Sequence, residues 1–466
     1  MNSVLLVLYA LLAGIATFLM YSHNILAFRH FNIIYTALLV VVLVVSLVLI
    51  IRKKGKLVVT VLLVIFSIVA AASLFAFKSL IDVAGNLNET ASYSEIEMSV
   101  VVPTNSSISD VTELSSVQAP TGADGSNIEA LLSQIKSDKG VNLTTDTVDS
   151  YQAAYENLIN GSSQAMVLNS AYSSLLELSY DNYESNLKTI YTYKVKKNIS
   201  NDVSSSNKNV FNIYISGIDT YGSISTVSRS DVNIILTVNM DTHKILMTST
   251  PRDSYVQIPD GGANQYDKLT HAGIYGVETS EKTLENLYGI DIDYYARVNF
   301  TSFMNLIDAI GGVTVYNDQA FTSSAGDSFE AGNINLNSDE ALGFVRERYS
   351  LDNGDYDRGK NQLKVIQAII NKLTSFSSIS NYSSIMSTLQ DSVQTDMPLD
   401  TMMDLANTQL DSGKKFTITS QEVTGTGSTG ELTSYAMPTA SLYMIQLDDA
   451  SVSSASQAIK DVMEGK

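Results

Sequence analysis

The sequence predicts an α/β protein held in a membrane by three N-terminal helices, with a small exposed α/β unit followed by a larger one. Three observations predict it. Three long apolar runs open the chain, two helical stripes follow a strand-like run, and beyond residue 210 strands alternate with helices. At 466 residues the chain is long enough for two or three domains. We divide it into an anchor (1–81), an accessory unit (82–206) and a larger unit (207–466).

The apolar runs are Val4 to Tyr21, Ile33 to Ile51 and Leu57 to Phe77. Each can cross roughly 30 Å of hydrocarbon as a helix. The first lacks the basic lead-in and small-residue cleavage site of a signal peptide, so it reads as a retained anchor. Short loops rich in Lys and Arg stay in the cytoplasm. The turn between the second and third runs is Arg52-Lys53-Lys54-Gly55-Lys56, whereas the first turn offers only Arg29. A cytoplasmic N-terminus and an exterior location for everything after about Lys78 follow.

Charge agrees with an exterior protein that avoids nucleic acid. Residues 1–81 carry no Asp or Glu and six Lys/Arg, leaving 48 acidic against 23 basic side chains in the remainder. Affinity for a nucleic-acid backbone comes from basic side chains displacing counterions, so DNA is not an expected partner. The absence of cysteine removes disulfides, thiolate zinc sites and Cys nucleophiles.

In the accessory unit, Met98 to Val102 reads as a strand. Ser126 and Glu129 have capping-box spacing ahead of the stripe Ile128, Leu131, Leu132 and Ile135, and Gly140 ends the pattern. Tyr151, Ala154, Tyr155 and Leu158 line a second helix, stopped by Asn160-Gly161. This unit has no Arg or His and reads as a spacer. Asn201 to Asn209, polar and carrying three consecutive serines, is the linker.

In the larger unit, strands are expected at Phe211 to Ser216, Asn233 to Asn239, Lys244 to Ser249, Tyr294 to Phe300 and Val313 to Tyr316. Helices fit Glu281 to Tyr288, Ser302 to Ile310 and Lys360 to Ser375. Interleaving of this kind argues for a sheet covered on both faces.

The chemistry concentrates there. Beyond the membrane anchor the arginines are Arg229, Arg252, Arg297, Arg346, Arg348 and Arg358, all within one stretch of an acidic chain. Arginine's planar fork suits bidentate contact with phosphate or carboxylate oxygens, so the cluster suggests a buried anion site, with structural carboxylate pairing as the alternative for each. Asp219 lies just past a strand's carboxyl end, where ligands bind in open α/β sheets. A hairpin centred on Asp241-Thr242 would place Asp231 opposite Arg252, and a one-residue error would undo that pairing. Asn337 and Glu340 have capping-box spacing for a short helix to Leu342, stopped by Gly343. If Phe344 to Tyr349 is then extended, Arg346 and Arg348 share a face and Glu347 points away. Arg358 and Gln362 share a side of the next helix near its N-terminus, which favours anions. Two carboxylates beside several arginines suit a magnesium-phosphate ligand.

Other motifs point less sharply. Gly425 to Gly430 matches G-x-G-x-x-G but leads into no helix, so it reads as a flexible loop. His271 could be a general base or a pocket-shaping residue, and His243 falls in the hairpin turn, exposed to solvent. No nucleophile elbow supports a serine-hydrolase triad.

The strings YISGIDTYG (Tyr214 to Gly222), SRSDVNI (Ser228 to Ile234), TPRDSY (Thr250 to Tyr255), KLTHAGIYG (Lys268 to Gly276), ALGFVRERYS (Ala341 to Ser350) and DRGKNQ (Asp357 to Gln362) resemble, in order and spacing, the LytR-CpsA-Psr family. With its membrane segments and accessory unit, the chain is similar to the capsule-locus CpsA members of Gram-positive cocci. The resemblance implies a three-layer α/β/α domain that binds polyprenyl phosphate or pyrophosphate lipids. It implies a phosphotransferase attaching capsular polysaccharide to peptidoglycan through a phosphodiester, at the cytoplasmic membrane and beside other capsule-synthesis proteins. Carried over by motif, Asp219 and Asp231 would hold Mg2+, and Arg229, Arg252, Arg346, Arg348, Arg358 and Gln362 would contact phosphates. Asp231, Arg252, Arg346 and Arg348 are the expected catalytic residues. A lipid pyrophosphatase, a membrane-bound regulator of capsule synthesis and a non-catalytic polysaccharide receptor are the alternatives.

Overall fold

A computed structural model describes residues 2–199, 209–218, 220, 224–373 and 393–466. Helices α1 (Asn2–Ser22), α2 (Phe31–Ile51) and α3 (Lys56–Ala91) are each long and apolar enough to cross a membrane. Tyr9, Leu39, Val42, Val59 and Leu63 pack between them, while Val4, Leu11, Phe18, Val41 and Ile68 face outward. Apolar side chains on the outer surface are what lipid would solvate.

The loop between α1 and α2 is docked on the Leu399–Ser412 helix. Asp400, Asp404, Asn407 and Asp411 recur at helical spacing and form one polar stripe. His23 Nδ1 lies 3.0 Å from Asp400, Asn24 Nδ2 donates to Asp404 at 3.0 Å, the Phe28 N–H donates to Asn407 at 3.2 Å and the Arg29 N–H donates to Asp411 at 2.5 Å. This loop and the folded units therefore sit at one end of the bundle. The basic turn Arg52 to Lys56 sits at the other.

The accessory unit has a five-stranded sheet in which the long strand Tyr93–Pro103 pairs antiparallel with Leu187–Asn198 and with Met166–Asn169. Its first helix runs Thr121–Lys139, five residues earlier than the expected Ser126 cap, with a kink at Asp124 (φ −140°). The Asp124 carboxylate explains the kink. It is buried and accepts from Tyr151 Oη at 2.6 Å and Asn169 Nδ2 at 2.8 Å, so the turn bends to deliver it. Gly140 ends the helix with φ +73°, as read, and Ser150 caps the helix Tyr151–Ile159.

The larger unit carries a six-stranded sheet in the order Gln394–Thr395, Tyr294–Val298, Val210–Ile218, Ser230–Asn239, Lys244–Ser249 and Thr417–Glu422. Its central hairpin is antiparallel, and Tyr294–Val298 and Thr417–Glu422 add in parallel on either side. Neighbouring residues on a strand point to opposite faces. Ile235 packs with Leu284, Tyr288, Ala455 and Ile459 on one face, whereas Ile234 and Leu236 pack with Leu363, Ile366, Met402 and Leu405 on the other. Helices Val277–Tyr288 and Asp449–Met463 thus cover one side, and Asp355–Leu373 and Leu399–Ser412 the other. This is the expected three-layer architecture.

Several local expectations are corrected. Among the described residues Val313–Asn317 pairs with Gly332–Leu336 in a two-stranded sheet outside the main one. Tyr294–Val298 ends before Phe300, which opens the next helix behind the Asn299 cap. Gly425–Thr429 is a strand paired with Tyr443–Leu447. A Cβ on Gly425 would strike the Gln446 carbonyl and one on Gly427 the Tyr443 ring, so those glycines permit close strand packing. His243 is half-buried against Phe416, with ring centroids 5.5 Å apart.

Candidate active site

The hairpin strands meet as read. Asn239 pairs with Lys244 and Ile234 with Ser249, and the same register carried outward sets Asp231 against Arg252. The Arg252 guanidinium pairs with Asp231 Oδ2, and Thr270 Oγ1 donates to Oδ1 at 3.1 Å. A β-bulge aims this carboxylate. Gly217 pairs with Val232 but Ile218 pairs with Ser230, so Asp231 is the extra residue.

Arg229, just before that strand, is buried. Its backbone is seated by Gly273, where a Cβ would lie 2.6 Å from the Ser228 carbonyl oxygen and 2.7 Å from the Ser230 nitrogen. Only glycine permits this approach. On the other side of the hairpin, Asp253 pairs with Lys268 Nζ at 2.5 Å and with Arg252 Nε at 3.6 Å, all three side chains being buried.

Helix Asp355–Leu373 begins early enough to include Arg358, which pairs with Asp355 inside its first turn. Arg358 and Gln362 are both buried on one side, as expected, and Gln362 Nε2 donates to the Val345 carbonyl at 3.2 Å.

Arg346 and Arg348 are placed differently from the expectation. Helix Ser338–Arg346 has the capping box of Asn337 and Glu340 but continues through Gly343. Gly343 lies where a Cβ would stand 2.8 Å from Asp327 Oδ2, so it serves packing and does not stop the helix. Arg346 is the last helical residue, its guanidinium 4.2 Å from the Phe300 ring centroid, and Arg348 follows in irregular chain, donating to Tyr349 Oη at 2.5 Å. They share no strand face. Glu347 between them is buried. It accepts from the Ser324 N–H (2.5 Å) and Oγ (2.8 Å) and from the N–H groups of Tyr349 (2.7 Å) and Ser350 (2.9 Å).

The electrostatics tie these groups into one cluster. Burial alone would raise the Asp231 carboxyl, but the guanidiniums of Arg252, Arg229 and Arg358 outweigh it and hold it down at about 2. Burial likewise opposes ionisation of Asp253, and Lys268 and Arg252 overcome it. For Asp355 burial wins over Arg358, and its carboxyl is pushed up. Among the described residues four buried cations, Arg229, Arg252, Lys268 and Arg358, gather with the carboxylates of Asp231, Asp253 and Asp355. In a chain of net charge −19 this gathering of cations is local. It suits an anion with oxygens in several directions, such as a phosphate.

Asp219 lies outside the described residues. Among those residues no group of three or more His, Asp or Glu is arranged to hold a metal. Asp231 supplies hard oxygen donors, and magnesium takes one or two carboxylates plus substrate phosphate and water, so the donor chemistry fits. His271 is fully buried, its Nδ1 2.8 Å from Asp267 Oδ1. Sequence reasoning gave no role to Lys268, Thr270, Asp253 or Asp355. Asp355 had a signal, its spacing three residues before Arg358; the burial of Lys268 had none.

A curated relative, the polyisoprenyl-teichoic acid–peptidoglycan teichoic acid transferase TagU of Oceanobacillus iheyensis, is 39% identical over 229 residues, 48% of this chain and 69% of that protein. The protein of the same name from Enterococcus faecalis is 37% identical over 233 residues, 49% of this chain and 75% of that one. The solved structure of B. subtilis TagV covers 55% of this chain and 98% of its own at 26% identity, with a TM-score of 0.47. A second family model, DNA polymerase processivity factor, matches residues 53–168, a minor part of the chain. The LytR_cpsA_psr family model matches residues 172–450, more than half of the sequence and all of the arginine cluster, and the chain belongs to that family.

Proposed function

We propose that the protein is a phosphotransferase on the outer face of the cytoplasmic membrane, moving a glycopolymer from a polyprenyl-pyrophosphate carrier to peptidoglycan. The observation that carries this is the cluster of buried cations around Asp231 at one end of the central strands. A hydroxyl oxygen of the acceptor sugar attacks the glycan-bearing phosphorus. The bond to the bridging oxygen breaks, polyprenyl phosphate leaves, and the hydroxyl proton passes to a base. Arg229, Arg252 and Arg358 bind the phosphates and hold negative charge as it shifts between oxygens. Asp231, its carboxyl held down by the guanidiniums around it, stays ionised and acts as an anchor for charge. With Asp219 it would hold magnesium, which when bound neutralises phosphate oxygens. Arg346, whose guanidinium lies 4.2 Å from the Phe300 ring centroid, and Arg348, beside Tyr349, would contact the same anion.

Capsular polysaccharide is the polymer that the CpsA-like motifs suggest, and teichoic acid is the one in the relatives' names. Product analysis decides between them and tests the reaction. The full chain, magnesium, peptidoglycan and either lipid-linked polymer should yield a peptidoglycan phosphodiester conjugate. Free polymer phosphate as the sole product would instead indicate a pyrophosphatase, and no release of the carrier would remove the enzyme reading.

Sidedness is part of the proposal. The basic turn and the folded units stand at opposite ends of the bundle, and basic loops stay inside. A reporter fused at Gly55 should be active only in the cytoplasm and one fused after Lys466 only outside. The reverse pattern would take the site away from peptidoglycan.

A further inference from the structure

Arg297 was grouped with the cluster by sequence, but among the described residues its hydrogen bonds go to Thr226 and Gln394 and to no carboxylate. It is only 2% exposed, and burial pushes its guanidinium down to about 10, so it remains charged at neutral pH. Its Nη2 donates to the Thr226 carbonyl at 2.6 Å and its Nη1 to Gln394 Oε1 at 3.3 Å. Among the described residues it has no carboxylate partner. A buried cation without one is costly unless fixed dipoles compensate it.

Those dipoles are the Thr226 carbonyl and Gln394 Oε1, and Gln394 is in turn tied to the end of α3. Gln394, fully buried, donates its Nε2 to the carbonyl of Thr90 in the last turn of α3. The neighbouring carbonyl, Ala91, accepts from Tyr295 Oη at 3.1 Å, and Asn88 donates to the Thr395 and Met397 carbonyls at 3.0 Å each. The last carbonyls of a helix lack internal partners and carry the negative end of its dipole. Gln394 therefore passes the end of a membrane helix directly to Arg297.

On its other side Arg297 holds the segment that leads to Arg229. Thr226 is three residues before Arg229, and the Glu95 strand start pins the same segment, with Glu95 N–H to Ser225 O at 3.0 Å and Val227 N–H to Glu95 O at 3.2 Å. Gly273 closes it from below.

We infer that Arg297 is a positioning residue for the phosphate site, linking the seat of α3 through Gln394 to the backbone that carries Arg229. The inference rests on reading the arginine cluster as that site. It assigns the third membrane helix a role in shaping the site besides anchoring it. Lysine at 297 would keep the charge but could not span Thr226 and Gln394 with one planar fork.

The test uses the full chain in lipid nanodiscs, a polyprenyl pyrophosphate as probe, and thermal unfolding alongside. Arg297→Met should weaken binding about tenfold, and Arg297→Lys should restore only part of it. Because Arg297 acts through Arg229, Arg297→Met placed in an Arg229→Lys background should cost less than about twofold more. Gln394→Glu keeps an oxygen on Arg297 but loses the donor to Thr90, and it should still weaken binding about threefold. This variant strengthens the local ion pair, so it remains informative if Arg297→Met fails to fold. Wild-type affinity in Arg297→Met, or an equal loss in both backgrounds, overturns the positioning role. Undiminished binding by Gln394→Glu overturns the link to α3. A wild-type protein that binds no polyprenyl pyrophosphate overturns the phosphate-site reading, and this inference with it.

Discussion

Replacing Asp231 with Asn is expected to lower turnover by about a thousandfold, on the scale of losing a preorganised charge from a reaction centre. The carboxylate accepts from Arg252 and Thr270 at once and lies in the field of Arg229 and Arg358. An amide in its place would present its NH2 to a guanidinium or leave the threonine without an acceptor. Breaking a buried pair on one side also costs stability, about 3 kcal/mol. The pH dependence follows from the sign of the shift. The folded carboxyl sits at about 2, below its unfolded value near ~3.9, so its contribution is full above about pH 4 and disappears as pH falls through 2. Unfolding curves across that window should show a smaller acid-induced loss in Asp231→Asn than in the wild type. Carrier release measured at neutral pH, beside those curves, separates lost chemistry from lost fold.

The second large effect is expected at Glu347, a residue that an extended chain would have turned away from the site. Its carboxylate instead collects four hydrogen bonds from Ser324, Tyr349 and Ser350. Burial would raise its carboxyl, but those donors hold it at about 2. Glutamine offers one acceptor oxygen and sets an NH2 against N–H donors. Glu347→Gln should therefore cost about 3 kcal/mol. The turn it holds carries Arg348, so the Michaelis constant for the lipid substrate should rise about tenfold. Wild-type stability and an unchanged Michaelis constant would show that the carboxylate does not hold the turn.

The contrast between these two residues shows what the sequence can disclose. Asp231 was legible because hairpin register is discrete: a turn centred on Asp241-Thr242 allows one partner for each position. Arg358 and Gln362 were legible because helical spacing needs no tertiary knowledge. Arg346 and Arg348 were not, since Gly343 looks like a helix stop until the neighbouring Asp327 shows why it is small. The bulge that aims Asp231 and the burial of Lys268 depend on chain segments distant in sequence. Local pattern carries no trace of them. The membrane helices were the plainest reading, being fixed by length and hydropathy alone, but the docking of α3 on Gln394 was hidden for the same reason as the bulge.

The central claim is that the cations around Asp231 receive the phosphates of a lipid carrier. The most direct measurement is an experimental structure of the full chain with a polyprenyl pyrophosphate and magnesium. The account predicts phosphate oxygens in contact with Arg229, Arg252 and Arg358, with the metal shared between those oxygens and Asp231. Phosphates bound elsewhere, with the Asp231–Arg252 and Asp355–Arg358 pairs closed on each other, would contradict it.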